Sequence, residues 1–136
     1  MTTYVDSSIL LRVVLGEPGP LTEWPRIEPI SSELIRVECL RAVERYRLMP
    51  AFGDETVAER RSAVLDTLSR FRLVEPSRKI LERAADPFPI YVATLDAIHL
   101  ATALALRAEY EDLTFATHDA KLASAARALE FTVLGS

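Results

Sequence analysis

The sequence predicts an α/β fold, in which a central parallel sheet of four to five strands is covered on both faces in a three-layer α/β/α arrangement. Short β-like segments alternate with helical segments along the chain, and such alternation is typical of parallel sheets. The length of 136 residues is typical of one domain, so residues 1–136 are expected to form a single domain. Apolar residues make up 49% of the chain, which argues for a buried core and against disorder.

The first predicted elements are a strand and a short helix, which ends at glycine and proline residues. Residues 2–6 predict a strand, and the two serines that follow it start a short helix, Ile9–Leu15. The helix ends in residues 16–20, Gly-Glu-Pro-Gly-Pro, because glycine and proline interrupt helical structure. A further short helical piece is expected around residues 20–25.

The next part of the chain predicts one strand and two helices. Ile27–Ser31 is the expected second strand, and a helix from about Ser32 to Leu48 follows it. Pro50 and Gly53 separate this helix from another over roughly Asp54–Arg70. The apolar residues of the latter keep helical spacing, at Val57, Val64, Leu65 and Leu68.

A third strand and two more helices are expected between residues 71 and 109. Residues 71–75 alternate in polarity like a half-buried strand, and Ser77 is a suitable N-cap for a helix over Ser77–Ala85. Pro87–Tyr91 contains two prolines and is predicted to be a loop. The alanine- and leucine-rich segment from Thr94 to about Glu109 predicts a long helix.

The last elements complete the alternation with a strand at 114–117, a helix at 120–129 and a strand at Phe131–Leu134. In open parallel sheets, ligands bind in the crevice at the carboxyl ends of the strands. Asp6 and Asp119 both follow predicted strands directly, so this crevice is the expected functional site.

The charge distribution bears on the class of substrate. The net charge is −4, but residues 36–83 hold 11 of the 16 basic residues and 8 of the 20 acids, a local balance of +3. Bound divalent ions would neutralise part of the acidic remainder, so a phosphate-bearing substrate is compatible with this sequence when a metal is present. Tight binding of nucleic acid without metal is disfavoured.

Cysteine content and hydropathy bear on the compartment. Cys39 is the only cysteine and has no internal disulfide partner, which indicates a reducing environment. No segment approaches the ~20 apolar residues of a membrane span, and the N-terminus lacks the pattern of a signal peptide. The expected location is the cytoplasm, without membrane association.

Three acids occur where helix capping is an alternative to a role in a site. Asp6 and Asp119 precede helices and are suitable N-caps, and Ser7 and Ser8 compete with Asp6 for that role. Asp96 follows the possible N-cap Thr94, and an acid in the first helical turn interacts favourably with the helix dipole, by roughly 0.3–1 kcal/mol. Taken singly, none of the three is specific.

Glu38 is in the middle of a helix, where capping does not apply. It lies at the edge of an apolar stripe that consists of Ile35, Cys39, Ala42, Val43 and Tyr46. A solvated rim position, or pairing with Arg41 or Arg45, is the alternative to a functional role.

Together, Asp6, Glu38, Asp96 and Asp119 predict a site for divalent cations if they converge at one sheet edge. Carboxylate oxygens suit Mg²⁺ and Mn²⁺, and Mg²⁺ keeps several waters, so few protein ligands suffice. Two such ions about 4 Å apart activate water and stabilise the leaving oxygen in phosphodiester hydrolysis. The pattern therefore indicates a candidate metal-dependent nuclease.

Other polar residues are assigned supporting or structural roles. Ser7 and Thr117 are close in sequence to two of the acids and are predicted to hold them or a bound phosphate, with capping as the alternative. His99 lies one turn after Asp96 and is expected to be a satisfied polar residue or to support the site. With one cysteine and two histidines, a zinc site is not expected.

Several motifs resemble a known family across essentially the whole chain. They are Tyr4–Ser8, Gly16–Gly19, Val37–Ala42, Leu95–Ala103 and Thr117–Asp119, the last followed by Leu122, Ala125 and Ala126. With these motifs the chain is similar to the PIN domain, and within that family to the VapC-type toxins of bacterial and archaeal toxin–antitoxin pairs. Residues 95–103 are the most specific match. His118 departs from the family pattern, in which many members have an apolar or small residue there.

The resemblance implies an α/β/α fold and a Mg²⁺- or Mn²⁺-dependent endoribonuclease that acts on RNA. The acids of the family pattern fall on Asp6, Glu38, Asp96 and Asp119, and its Ser or Thr two residues before the last acid falls on Thr117. Asp6, Asp96 and Asp119 would be the main metal ligands, and Glu38 would complete the site and orient the attacking water. The resemblance also implies a homodimer and a small VapB-like antitoxin whose tail fills the active-site groove.

Three alternatives remain at the level of the sequence. Glu33 is near enough to Glu38 to be mistaken for it, although the surrounding Val-Glu-x-Leu-Arg-Ala favours Glu38. A catalytically inactive PIN-fold module that binds RNA or protein is possible, although all four acids are present. A receiver or a haloacid-dehalogenase-type phosphatase fits less well, since Asp6 is followed by two serines and not by the acids that those classes need.

Overall fold

The computed structural model of the protein covers all 136 residues and contains five strands and six α-helices. The strands are β1 (Thr2–Val5), β2 (Glu28–Ser32), β3 (Arg72–Val74), β4 (Thr114–Ala116) and β5 (Val133–Leu134). The helices are α1 (Ser7–Val14), α2 (Leu34–Glu44), α3 (Asp54–Leu68), α4 (Arg78–Ala85), α5 (Thr94–Leu106) and α6 (Ala120–Ala128). Short 3₁₀ turns occupy Trp24–Arg26 and Arg45–Leu48.

All five strands form one parallel sheet in the order β3-β2-β1-β4-β5, as the alternation of elements predicts. β1 is the central strand, with Tyr4 aligned with Ile30 of β2 on one side and with Phe115 of β4 on the other. The chain leaves β1 towards β2 and β3 and later returns to β4, so the direction of winding reverses between β1 and β4. Ligand sites of open parallel sheets occur at such a point.

The sheet separates two hydrophobic cores, which makes the three-layer α/β/α prediction correct. One core joins α1, α2 and α3 to the sheet, and the other joins α5 and α6 to the opposite face. Adjacent residues of β1 point into different cores, with Val5 in the first and Tyr4 in the second, as strand geometry requires. Every residue of β1 from Thr3 to Val5 is fully buried, which fixes the strand that carries Asp6.

The predicted elements are confirmed, with differences at their ends. The helix expected to run to Leu48 stops at Glu44 and continues as a 3₁₀ turn, in which the Met49 amide donates to the Tyr46 carbonyl at 3.0 Å. Tightening of this kind provides partners for carbonyls that the end of an α-helix leaves free. The helical piece expected at 20–25 is only the turn at Trp24–Arg26.

The C-terminal segment closes against the carboxyl edge of the sheet. Gly135 has φ +88, and a Cβ atom there would lie 2.9 Å from the carbonyl oxygen of Thr117. The Thr117 amide donates to the Leu134 carbonyl at 3.0 Å, and His118 Nδ1 lies 2.8 Å from the Gly135 carbonyl oxygen. This close approach requires glycine and places the chain end directly behind Thr117.

Candidate metal centre

Asp6 and Asp119 come from neighbouring strand ends. Asp6 directly follows β1, and its amide donates to the carbonyl of Ala116, the last residue of β4, at 3.2 Å. Asp119 lies three residues beyond the end of β4. The structure therefore brings together two acids that are 113 positions apart in the sequence, at the edge where a crevice is expected.

Asp6 is buried and is held by two hydroxyl groups. Its Oδ1 accepts from the Ser8 amide at 3.1 Å and from Ser8 Oγ at 2.6 Å, and its Oδ2 accepts from Thr117 Oγ1 at 2.9 Å. Asp6 is also the N-cap of α1, so capping and membership of the acidic cluster are compatible. The serine that contacts the carboxylate is Ser8 and not the neighbouring Ser7, because the Ser8 hydroxyl points back towards Asp6.

Thr117 joins Asp6 to Asp119. Its hydroxyl donates to Asp6 and accepts from the Asp119 amide at 3.0 Å. Asp119 caps α6, since its Oδ1 accepts from the amides of Lys121 and Leu122 at 2.9 and 3.0 Å. The second carboxylate oxygen of Asp119 has no protein partner and remains open to a ligand.

Glu38 reaches the site from α2 and contacts neither Arg41 nor Arg45. Its Oε1 lies 2.5 Å from His99 Nε2 on α5, and His99 Nδ1 lies 2.6 Å from the Tyr4 hydroxyl on β1. The Ser32 amide donates to that hydroxyl at 3.2 Å. Tyr4 and His99 are fully buried, whereas the Glu38 side chain is 17% exposed. The expectation of a satisfied His99 is met, but Tyr4, its partner 95 positions away, could not be identified from the sequence.

Asp96 is the least constrained of the four acids. It lies in the first turn of α5, which begins at Thr94 with Ala93 as its N-cap, so the expectation that Thr94 is the cap is wrong. No protein group donates a hydrogen bond to its carboxylate. Burial raises the pKa of Asp96, and the negative charges of Asp119 and Glu38 raise it further.

Electrostatic repulsion links Asp96 to Asp119 and Glu38, whose charges raise its pKa. Burial raises the pKa of Asp6, although hydrogen bonds from Ser8 and Thr117 oppose that rise. The Cys39 thiol on α2 has a raised pKa through burial and through the charges of Glu38 and Asp6. Like charges close together at partly buried positions are costly unless a cation compensates them.

The donor set fits a hard divalent ion held partly through water. No three acidic, histidine or cysteine side chains are placed so that they would jointly ligate one ion. Mg²⁺ ordinarily binds through one or two carboxylates and retains several waters, so it tolerates this wider spacing. Asp96 and the free oxygens of Asp119 and Glu38 are the groups suited to hold it, and Asp6 is mostly committed to Ser8 and Thr117.

A groove between α1 and α2 leads away from Glu38. The part next to Glu38 is a cavity of about 420 Å³, and we call it the α1–α2 groove. Its lining residues are Ser7, Leu11, Leu34, Val37, Glu38, Arg41, Ala42, Arg45 and Leu95. Arg45 also lines two adjoining cavities, and neither Arg41 nor Arg45 takes part in an ion pair. The groove therefore presents uncompensated positive charge beside the acids.

Sheet order, layer arrangement and an acidic cluster at the carboxyl edge define the chain as an α/β domain with a candidate cation site. The PIN domain family matches residues 3–128. The chain is 31% identical over 130 residues to Ribonuclease VapC47 of Mycobacterium tuberculosis strain CDC 1551 / Oshkosh, covering 94% of this chain and 92% of that protein. It is also 31% identical over 138 residues to Ribonuclease VapC46 of strain ATCC 25618 / H37Rv, with 96% and 95% covered. The chain belongs to the PIN-domain family, and its relatives are VapC ribonucleases.

Solved structures share the fold at lower sequence identity. A crystal structure of VapBC2 from Rickettsia felis bound to a promoter DNA fragment matches with a TM-score of 0.65 and 14% identity, over 98% of this chain and 97% of that one. A toxin–antitoxin complex from Klebsiella pneumoniae gives 0.59 and 20%, with 88% of each chain covered. PAE2754 from Pyrobaculum aerophilum gives 0.60 and 17%, with 98% of this chain and 83% of that chain covered. Separately, none of the helices has both the length and the apolar character that a membrane span requires.

Proposed function

We propose that this protein is a Mg²⁺- or Mn²⁺-dependent endoribonuclease, and the toxin of a toxin–antitoxin pair that acts in the cytoplasm. The single observation that supports the proposal is that Asp96 lies within electrostatic reach of Asp119 and Glu38, at the sheet edge where Asp6 follows β1, in a chain whose relatives are named VapC ribonucleases. The reaction is hydrolysis of an RNA phosphodiester bond, in which water adds to phosphorus and one P–O bond breaks.

The residues of the proposed site have different roles. Asp96, Asp119 and Glu38 would hold the cation with their unpaired oxygens, and Asp6 anchors the cluster through Ser8 and Thr117. The bound ion supplies charge that stabilises the phosphoryl group and activates water. Glu38 is positioned by His99 to accept a hydrogen bond from the attacking water.

Cleavage of RNA by the purified protein is the direct test. We expect cleavage with Mg²⁺ or Mn²⁺, none with EDTA, and a loss of at least about 100-fold in the Asp6→Asn and Asp96→Asn variants. Asparagine caps helices as well as aspartate does, so Asp6→Asn leaves α1 intact. Asp112→Asn, at an exposed acid outside the cluster, is the matched control and should cleave normally. Unchanged cleavage by Asp6→Asn would contradict the assignment.

Binding without cleavage is the outcome that distinguishes the alternative function. If the wild-type protein retains RNA, with metal present, but leaves every phosphodiester bond intact, the chain is a PIN-fold binding module and not an enzyme. Toxicity in cells separates the two further, because growth inhibition that disappears in Asp96→Asn requires the acid cluster.

A small VapB-like antitoxin is the proposed protein partner. The toxin–antitoxin complexes among the solved structures of the same fold support this proposal. The tail of such an antitoxin would enter the α1–α2 groove, where Arg41 and Arg45 are free to pair with acidic groups. Co-expression of the two proteins should restore growth and block cleavage, and an antitoxin lacking its tail should bind without blocking.

A homodimer is the proposed assembly. Three apolar side chains of α4 and the following loop are exposed, namely Leu81 (45%), Ile90 (38%) and Tyr91 (78%). Leu81 and Tyr91, with Ala84, Val92 and Ile98, line one shallow apolar depression between α4 and α5. Light scattering should give twice the mass of the chain, and Leu81→Glu should give the monomer. A monomeric wild-type protein would contradict this assembly.

A further inference from the structure

We propose that Tyr4 and His99 are positioning residues, which set the orientation of Glu38 through a buried chain of hydrogen bonds. The proposal rests on the proposed nuclease function and adds to it two residues that carry no metal. The chain of contacts runs from the Ser32 amide to the Tyr4 hydroxyl, on to the His99 ring and then to the Glu38 carboxylate.

The direction of the chain follows from the groups at its two ends. A backbone N–H only donates, so the Tyr4 oxygen accepts from Ser32 at 3.2 Å. A carboxylate only accepts, so His99 Nε2 carries the proton that Glu38 Oε1 receives at 2.5 Å. When Nε2 carries the ring proton and Nδ1 keeps its lone pair, the phenol proton goes to Nδ1, 2.6 Å away. The Nε2-protonated tautomer of His99 therefore satisfies all of these groups.

Two hydroxyl groups near the Tyr4 hydroxyl use their protons elsewhere, so neither donates to Tyr4. Ser31 Oγ donates to the Val5 carbonyl at 2.7 Å, and Thr102 Oγ1 donates to the Ile98 carbonyl at 2.7 Å. The two rings pack edge to face at 5.7 Å between centroids, and Phe115 stacks on Tyr4 at 5.3 Å. Since both rings are enclosed, neither can turn to another partner without disturbing the core.

The consequence for the site is that only one oxygen of Glu38 is committed to the protein. Oε1 is held by His99, and Oε2 is free at the rim of the α1–α2 groove. Glu38 is in the middle of α2, where a free glutamate has many rotamers, so this contact selects one of them. Tyr4 and His99 each come from a segment close to an acid, since Asp6 directly follows β1 and Asp96 lies on α5, so the chain of contacts aligns three elements at once.

The first test observes the tautomer directly and does not depend on activity. In ¹⁵N-labelled protein at neutral pH, NMR should show His99 with Nε2 protonated and Nδ1 as an acceptor. In Tyr4→Phe the His99 ring should become a mixture of its two tautomers. Tyr110 does not contact His99, so Tyr110→Phe should leave the tautomer unchanged. A ring protonated at Nδ1 alone, or at both nitrogens, in the wild-type protein would overturn the proposal even if the protein cleaves RNA.

The second test asks whether His99 acts through Glu38. His99→Leu should lower kcat by about 10- to 100-fold with little change in KM, as for outer partners of metal sites. His99→Gln can still donate to Glu38 and should recover most of the activity. In a Glu38→Gln background, His99→Leu should cost almost nothing more, because residues that act as a unit are non-additive. Full additivity, or equal losses in the Leu and Gln variants of His99, would show a merely structural role.

These measurements also separate the proposal from the proposed function. If the wild-type protein cleaves RNA and the tautomer is wrong, only the arrangement of Tyr4 and His99 is refuted. If the tautomer is right and no RNA is cleaved, the nuclease assignment fails and with it the role of Glu38 in the reaction.

Discussion

At the scale of the single residue, Asp6 and Asp119 combine two tasks that the sequence presents as alternatives. Each caps a helix with one side of its carboxylate and belongs to the acidic cluster. A helix N-terminus stabilises negative charge by roughly 0.3–1 kcal/mol, so capping offsets part of the repulsion between the carboxylates. Asp96 lies in the first turn of α5 but accepts no hydrogen bond from the protein, and burial and the charges of Asp119 and Glu38 raise its pKa although His99 and Lys121 oppose that rise.

We therefore expect Asp96→Asn to raise the melting temperature of the metal-free protein. The folded pKa of Asp96 is raised above its ordinary value of 3.8, so the folded state binds a proton more tightly than the unfolded state. The carboxylate then destabilises the fold at neutral pH, and the penalty fades as the pH falls through the raised folded pKa towards 3.8. Calorimetry should show the gain at pH 7 and a smaller gain near pH 4, with Asp112→Asn unchanged. A lower melting temperature at pH 7 would contradict the prediction.

With divalent metal bound, the wild-type protein should have a higher melting temperature than Asp96→Asn. Because Mn²⁺ compensates the acids, it should raise the melting temperature of the wild-type protein and have a much smaller effect on Asp96→Asn. Thermal scans with Mn²⁺ and with EDTA provide the measurement, and NaCl at the same ionic strength controls for simple screening. Equal shifts in the two proteins would place the ion elsewhere.

Thr117→Val should destabilise the protein by about 1–3 kcal/mol, because it removes a donor to Asp6 and an acceptor for the Asp119 amide in a buried place. Thr117→Ser keeps the hydroxyl and is the matched control, with a smaller loss. Urea denaturation measures both. A valine variant as stable as the wild type would show that Thr117 does not tie the strand ends together.

At the scale of the element, secondary structure could be predicted from the sequence, whereas contacts between residues distant in the sequence could not. Strands and helices were recognised because glycine, proline and capping residues mark their ends, and Asp6 and Asp119 were placed correctly by following strands. The contact between Glu38 and His99 spans 61 positions, so helical spacing suggested Arg41 or Arg45 in its place. The choice between Ser7 and Ser8 depends on how the chain turns from β1 into α1, which residue type does not reveal.

The C-terminal segment behind Thr117 provides a prediction at this scale. Gly135→Ala should cost about 1–3 kcal/mol through its positive φ, and a further amount because the added Cβ would lie 2.9 Å from the Thr117 oxygen. Gly16→Ala is the matched control, since Gly16 also has positive φ, +65, but no atom lies within 4 Å of its Cβ position. Denaturation should show a larger loss for Gly135. Equal losses would mean that the C-terminal segment adjusts to the added Cβ without a steric clash with Thr117.

At the scale of the whole molecule, an acidic protein has to attract an acidic polymer. The segment 36–83 carries a balance of +3 within a chain of net charge −4, so the charge is unevenly distributed along the sequence. Three arginines form ion pairs, namely Arg47 with Glu44 and Asp54, Arg70 with Asp66, and Arg72 with Glu109. Arg41 and Arg45 form none and line the α1–α2 groove beside Glu38, which makes them the expected contacts for RNA phosphates.

Arg41→Gln and Arg45→Gln should each reduce the salt dependence of RNA binding. Each lost phosphate contact lowers the slope of log K against log salt by about 0.7 for a single strand. Binding is measured in the Asp96→Asn background to prevent cleavage, and Arg70→Gln is the control because Arg70 is paired with Asp66. A slope equal to that of Asp96→Asn alone would exclude these arginines from the RNA path.

The central place of β1 has a consequence for the timing of synthesis. β1 leaves the ribosome before β4, its partner on one side, which follows more than 100 residues later, and Asp6 meets Thr117 only when β4 has formed. A nascent chain that extends to residue 110 therefore carries Asp6, Glu38 and Asp96 but no complete site. If the protein is a toxin, it becomes active only after β4 and Asp119 have been synthesised, and an antitoxin can arrive during that interval.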